Sequence, residues 1–409
     1  MPDNHEREEF FIQMMNEATW RFVSDHADED VRQLALRGCK DEAVDLPMAL
    51  QQIQGRQTAI AKLPSWAAVN GIIYPTHLSM EQCSSELTAQ YKAKIAASLN
   101  GSKQKLVDLT GGFGVDFFWM GKVFQSRVYV EQQPQLLDIA SRNFATLGLE
   151  AETVCTYAVD YLYQLDHVSM IFLDPARRDD HGGRTYGIGD CSPNVLLMMD
   201  ELLSKADHVM LKLSPMLDWR KAVADIGLER VHEVHIVSVR NECKELLLSL
   251  SATPCSDARL VCVNDGSCDE FPLSDTSERM PTWTGDLVGV SLYEPNTSLM
   301  KAGRYDELAR RYQVQPLAVN SHLFASRQPV EGFPGRSFRI IATSSMNKRE
   351  LHEKIVPLRQ ANITVRNFPM TVAALRQRLK LSEGGSNYVF ATTLATGERI
   401  LVVAIRSEQ

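Results

Sequence analysis

Apolar residues recur at helical spacing through the first quarter of the chain: Phe11, Met14, Met15, Ala18 and Phe22, then Val31, Leu34 and Ala35 behind Asp28-Glu-Asp30. A period of three to four residues marks helices with one buried face. A third helix is predicted between Pro47 and Pro64. Tyr74 to Ser79 reads as an extended entry, and Ser79-Met-Glu-Gln82 as a capping box opening a helix with a Leu87, Tyr91, Ile95, Leu99 stripe that ends at Asn100-Gly101. Beyond residue 100 the pattern changes to short apolar runs. These are Leu106 to Leu109, Ser126 to Glu131, Thr153 to Asp160, Met170 to Leu173, Val209 to Leu213, Glu233 to Val239 and Glu245 to Ser251, with Asn241 to Glu245 as a turn. Such runs between glycine and proline breaks predict buried strands of an α/β sheet.

Three domains are expected: a helical one over 1–95, a nucleotide-binding α/β one over 96–270, and a C-terminal one over 271–409 whose α+β class is implied by the family resemblance given below. In the last, Tyr293-Glu-Pro-Asn296 and Met300-Lys-Ala-Gly303 lead a helix containing Leu308, and Thr371 to Leu381 reads as a basic helix.

The stretch Leu106-Val-Asp-Leu-Thr-Gly-Gly-Phe-Gly-Val-Asp116 organises the middle domain. A buried strand runs into a turn of Gly111, Gly112 and Gly114, and a helix starts near Val115. Glycines let the backbone turn tightly and approach a ligand, which the helix N-terminus receives. A dinucleotide fingerprint beginning at Gly112 would put Phe117 where its third small residue stands, which weakens an NAD reading. Asp108 precedes the glycines, where a carboxylate faces a cationic ligand end. S-adenosylmethionine has such an end, a sulfonium beside an amino group. Glu131 closes the next strand and suits two ribose hydroxyls; Asp160 closes the third and suits an adenine amine.

Charge and composition add a compartment and a partner. The N-terminus is too polar for a secretory signal, no apolar run is long enough to cross a bilayer, and the eight cysteines form no Cys-x-x-Cys pair. A cytoplasmic monomer without membrane association is expected. Cys255, Cys262 and Cys268, with His232 and His235 upstream, lack the close ligand pairs of structural zinc, so no metal is assigned. The net charge of −8 conceals an asymmetry: Pro281 to Gln409 carries 17 basic and 10 acidic residues. A basic module on an acidic body points to a polyanion, and RNA, transfer or ribosomal, is the expected partner. Arg366, Arg376, Arg378 and Lys380 are its candidate contacts.

The second chemical stretch is Met170-Ile-Phe-Leu-Asp-Pro-Ala-Arg-Arg-Asp179. A strand broken by Asp174 and Pro175 places the acid in the crevice at the strand ends, opposite Asp108. It resembles the Asp/Asn-Pro-Pro-aromatic motif of methyltransferases acting on exocyclic amines, where acid and carbonyls orient the acceptor nitrogen. Ala176 and Arg177 replace the second proline and the aromatic. Asp174, Pro175 and Arg177 are the catalytic candidates, and Arg178, Tyr186 and Lys212 the candidate substrate contacts of that crevice. Ser214 lies at the same strand end, and Cys191 is a candidate nucleophile for pyrimidine C5 chemistry.

Taken with Lys-Leu-Ser-Pro-Met-Leu-Asp218, Asn-Glu-Cys-Lys-Glu-Leu246, Leu63-Pro-Ser-Trp66, Leu78-Ser-Met-Glu-Gln-Cys-Ser84, Arg366-Asn-Phe-Pro369 and Gly384-Gly385, these stretches resemble the bacterial class I methyltransferases with a THUMP-like C-terminal domain. The core is similar to trimethylguanosine synthase. The resemblance implies a Rossmann-like fold with a seven-stranded mixed sheet, and S-adenosylmethionine held by Asp108, Thr110, Gly111, Gly112, Gly114, Glu131 and Asp160. The expected reaction is methylation of a base nitrogen in structured RNA. The alternatives are an RNA-binding protein that keeps the fold without the chemistry, and a small-molecule or protein methyltransferase.

Overall fold

The computed structural model describes residues 15–177, 187–274 and 278–407, and for Arg177 the backbone alone. Phe11, Met14, Arg178 and Tyr186 therefore lie outside the described residues. Two compact units emerge: Met1–His232 with Leu248–Cys255, and Glu233–Leu247 with Ser256–Gln409.

In the first unit, helices Glu17–Asp25 (α1), Val31–Arg37 (α2) and Leu46–Lys62 (α3) pack around Met15, Val23, Leu34, Ala49 and Ile53. Asn16, Asp30 and Asp45 cap them by accepting from otherwise unsatisfied first-turn amides. Pro64–Ala67 (α4), His77–Gln82 (α5) and Glu86–Ser98 (α6) follow. The expected capping box is displaced: Ser79 lies inside α5, and Ser85 caps α6 by accepting from the Thr88 amide. The buried face of α6 is Thr88, Ala89, Lys92, Ile95 and Ala96, whereas Leu87 of the expected stripe is 63% exposed. A buried partner of Lys92, described below, accounts for this rotation.

Strands Lys105–Asp108 (β1), Ser126–Glu131 (β2), Glu152–Cys155 (β3) and Val168–Leu173 (β4) alternate with helices Val115–Gly121 (α7), Pro134–Thr146 (α8) and Ala158–Gln164 (α9). Ala176–Arg177 (β5) forms a short ladder with Cys191–Ser192 (β6), and Val195–Lys205 (α10) leads into Ala206–Leu213 (β7). The order β3-β2-β1-β4-β7 is parallel throughout. Since β2 and β3 lie on one side of β1 and β4 on the other, the strand order reverses between β1 and β4, where open α/β sheets bind ligands.

After Trp219–Ile226 (α11) come Val231–Val239 (β8) and Glu242–Leu250 (β9), joined by Arg240 and Asn241 at φ 52° and 58°. Two left-handed residues make a tight hairpin, so the second strand begins three residues before the expected Glu245. Arg259–Asn264 (β10) and Ser267–Pro272 (β11) add a further hairpin. The sheet thus has nine strands among the described residues, in the order β11-β10-β8-β9-β7-β4-β1-β2-β3, where seven were expected. The run Leu260 to Val263 is a buried strand that cysteine spacing alone had brought to notice.

The second unit holds another sheet: Ser291–Pro295 (β12), Gln315–Pro316 (β13), Phe324–Ser326 (β14), Gly335–Ser344 (β15), Asn362–Arg366 (β16), Asn387–Thr393 (β17) and Arg399–Arg406 (β18), in the order β13-β14-β12-β15-β18-β17-β16. With helices Thr297–Ala302 (α12), Tyr305–Tyr312 (α13) and Val372–Leu379 (α14) it is the expected α+β module. Tyr293 to Pro295 is strand rather than helix lead; Asn296 caps α12, Gly303 ends it at φ 68°, and Leu308 belongs to α13. Thr371 caps α14, which stops at Leu379 with Lys380 left-handed. Among the described residues no helix is long and apolar enough to cross a membrane.

Candidate active site

The glycine turn is built by packing beneath it. A Cβ on Gly111 would stand 2.2 Å from the Tyr129 ring, and one on Gly114 2.5 Å from Phe144. Phe117, Tyr129 and Phe144 pack edge-on or tilted with centroids 5.1–5.3 Å apart, so an aromatic fills the space that the third small residue of a dinucleotide turn leaves to a close helix. The Tyr129 hydroxyl donates to the Gly112 carbonyl. Gly114→Ala, at φ 84°, should cost about 2–4 kcal/mol through strain and overpacking together, measured by urea unfolding. Gly112→Ala, at φ 63° but with open space around the site, should cost only about 1 kcal/mol.

Around this turn the carboxylates gather. Asp108 is 1% exposed and its Oδ1 accepts from the Thr110 amide at 2.9 Å. Burial pushes its carboxyl well above the usual range; Asp116, Asp174 and Glu131 add to the effect, and the Thr110 amide opposes it. Glu131 Oε2 accepts from the Gly112 amide at 2.8 Å and Oε1 from the Gln133 amide at 2.9 Å. Each oxygen retains a second lone pair, which suits a vicinal diol. The Thr110 hydroxyl accepts from the Asp174 amide at 2.6 Å, tying the end of β1 to the end of β4. Asp108, Thr110, Gly112, Glu131 and Asp174 therefore gather at the carboxyl ends of β1, β2 and β4. Asp160 is placed differently: β3 ends at Cys155, and Asp160 is exposed in the first turn of α9. The tyrosine and alanine before it start a helix rather than extend a strand.

Lys212 projects from β7 onto Asp174, with Nζ 2.5 Å from Oδ2, and reaches Asp116 Oδ2 at 3.3 Å. Asp116 in turn meets Lys92 at 3.1 Å and accepts from the Ser84 hydroxyl at 2.7 Å. Burial alone would raise the Asp116 carboxyl, but the Lys92 and Lys212 ammonium groups and the Ser84 hydroxyl outweigh it and hold the group below its usual range. Burial likewise pushes the nearby Cys83 thiol up to about 11. The sequence reading placed Lys212 in the crevice but missed Ser84, Lys92 and Asp116. The available signal was a lysine on the same helix face as Ala89, Ile95 and Ala96. Pro175 is buried, the Arg177 side chain lies outside the description, and Cys191 is buried in β6 opposite the Arg177 backbone.

The C-terminal arginines do not form one cluster. Arg366 pairs with Glu294 at 2.9 Å, and Glu294, 2% exposed, also holds Arg336. Arg376 donates to the Ala361 carbonyl at 3.1 Å, at the far end of β16 and roughly 16 Å of strand from Arg366. Arg378 and Lys380 are exposed. A separate hollow of about 530 Å³ is lined by Phe368, Pro369, Thr393 and Arg399 among others. Glu294→Gln should destabilise this unit by about 2 kcal/mol, less than a fully buried pair because both arginines keep partial solvent contact. Thermal unfolding with a probe in this unit checks it.

A parallel sheet reversing at β1 and β4, with a glycine turn and strand-end acids at that point, defines a class I methyltransferase fold. The THUMP domain-like family matches residues 335–406, and a ferredoxin-like domain family matches 292–334. The chain is thus a class I methyltransferase-fold protein with a THUMP-like C-terminal domain. It is similar over 100% of both chains, at 28% identity and a TM-score of 0.84, to a protein of Porphyromonas gingivalis W83 provisionally described as a methyltransferase. A SAM-dependent methyltransferase from Agrobacterium tumefaciens covers 40% of this chain and 61% of its own at 15% identity and a TM-score of 0.30. An rRNA methylase from Streptococcus thermophilus covers 40% and 95% at 16% and 0.30. No curated protein matches the chain by sequence.

Proposed function

We propose that this protein is an S-adenosylmethionine-dependent methyltransferase acting on structured RNA, with Asp174 facing the acceptor. One observation carries the cofactor: Asp108 and Glu131, both buried, flank a glycine turn that Thr110 ties to Asp174. The donor set fits the group. Asp108 would meet the sulfonium and amino end, Glu131 the ribose, and the Gly111, Gly112 and Gly114 backbone would pass beneath. When bound, the cofactor supplies an electrophilic methyl group. The chain's part is to hold the acceptor against it, since direct transfer depends chiefly on orientation and proximity.

The RNA partner is supported by the basic balance of residues 281–409, by the THUMP-like match, and by an aromatic and a guanidinium, Phe368 and Arg399, lining one hollow. Stacking platforms beside basic groups grip single strands. Arg378 and Lys380 are the exposed cations of the expected set; Arg366 acts mainly through Glu294. Asp174 and Pro175 suggest a base nitrogen as acceptor, whereas the Lys212 contact favours an oxygen.

Calorimetry with S-adenosylmethionine and RNA binding at graded salt test the reading. Binding of the cofactor, and an RNA affinity that falls steeply with salt, are expected. Absence of the first rejects the enzyme; a salt-independent RNA affinity rejects the partner. Comparison of modified nucleosides between cells with and without the protein should then reveal a missing methylated nucleoside.

A further inference from the structure

The acceptor position carries an ion pair anchored in the core. Lys92, Asp116, Lys212 and Asp174 alternate in charge along one chain of contacts, at 3.1, 3.3 and 2.5 Å. Side-chain exposure rises outward, from 0% at Lys92 to 9% at Asp116, 11% at Lys212 and 38% at Asp174. The outer pair is therefore presented to the crevice, while the inner pair fixes where the Lys212 ammonium stands.

That ammonium discriminates between acceptors by the sign of the charge they develop. An amine nitrogen that attacks a methyl sulfonium becomes cationic before it releases a proton. It also needs the orienting carboxylate's lone pairs for its two hydrogens. Lys212 takes one of those lone pairs and repels the forming cation. A hydroxyl has the opposite demand: its oxygen must shed a proton, and the charge that grows there is negative. A carboxylate to receive the proton and an ammonium to stabilise the oxygen suit it. Arg177, standing where the Asp/Asn-Pro-Pro-aromatic motif has its aromatic, offers no aromatic ring for stacking a base. An internal nucleotide of RNA has one free alcohol, the ribose 2′-hydroxyl.

We propose that the Asp174–Lys212 pair methylates an oxygen, the ribose 2′-hydroxyl of RNA, an inference that rests on the RNA methyltransferase reading above. The hydroxyl oxygen bonds to the methyl carbon as that carbon's bond to the sulfonium sulfur breaks. The sulfur keeps the electron pair and leaves as a neutral thioether. The hydroxyl proton passes to the Asp174 carboxylate and then to water, and Lys212 keeps its protons throughout. Lys92 and Asp116 are positioning residues that hold the ammonium in place.

The full-length protein should be incubated with methyl-labelled S-adenosylmethionine and RNA from cells lacking it, and the RNA hydrolysed in alkali. A 2′-O-methyl group blocks cleavage of its own phosphodiester, so the label is expected in alkali-stable dinucleotides. Label in methylated-base mononucleotides overturns this inference and leaves the RNA methyltransferase reading standing; no label in RNA, with cofactor bound, overturns both. Lys212→Met should lose about 100-fold in transfer while its calorimetric affinity for S-adenosylhomocysteine stays within about 3-fold, and Lys212→Arg should recover part of the rate. Transfer by a folded, cofactor-binding Lys212→Met at the original rate also overturns the inference. Should that variant fail to fold, the position of the label decides alone.

Discussion

Asp108→Asn is expected to raise the thermal midpoint at neutral pH while weakening S-adenosylmethionine binding by about 10- to 100-fold. Both effects come from one buried carboxyl. It is 1% exposed, accepts from the Thr110 amide, and lies among Asp116, Asp174 and Glu131, so its affinity for a proton is well above normal in the folded protein. The unfolded chain releases that proton near the usual value of 3.8. A raised folded value means that the stabilisation is complete below the unfolded value and is lost as pH rises through the folded one. The wild-type midpoint should therefore fall with rising pH over a range that begins above 3.8, and the Asn variant should show a flatter profile. Asn retains an oxygen for the Thr110 amide but lacks the charge that a sulfonium and ammonium require, and charged hydrogen bonds contribute about 1.5–3 kcal/mol. Cofactor binding to the wild type should release protons, seen as calorimetric heats that depend on the buffer. Parallel pH profiles for the two proteins, or a destabilised Asn variant, would count against the account.

Lys92→Met should lower stability by about 3–5 kcal/mol, because it leaves Asp116 buried with one of its two cations gone. The partner variant Asp116→Leu takes away the carboxylate that meets Lys92, whose side chain has 0% exposure. The double variant should be less destabilised than the sum of the two, and urea unfolding of the four proteins measures the coupling. Single effects that add within about 0.5 kcal/mol would mean that the pair contributes nothing as a pair.

The strand, glycine turn and helix from Leu106 to Asp116 were legible in the sequence because each part is local. Leu106 and Val107 are fully buried, Gly112 and Gly114 adopt left-handed backbone, and the helix starts at Val115 as read. Glu131 and Asp174 were legible for the same reason, each closing or following a short apolar run. Asp160 was misplaced because β3 is only four residues long and its pattern runs without a break into α9. The face of α6 was misread because periodicity favoured Leu87 and Tyr91, while folding buried Lys92 instead. Arg366 looked like one of a basic cluster until Glu294, 72 residues away, was found to hold it.

Sequence alone determined the class of the protein, since turn geometry, strand burial and the acids at strand ends depend on near neighbours in the chain. Only the tertiary structure decided what lies around Asp174. Ser84, Lys92, Asp116, Asp174 and Lys212 come from separate segments. An ammonium enters the interior only where folding delivers a carboxylate to meet it, and no spacing rule along the chain records that meeting.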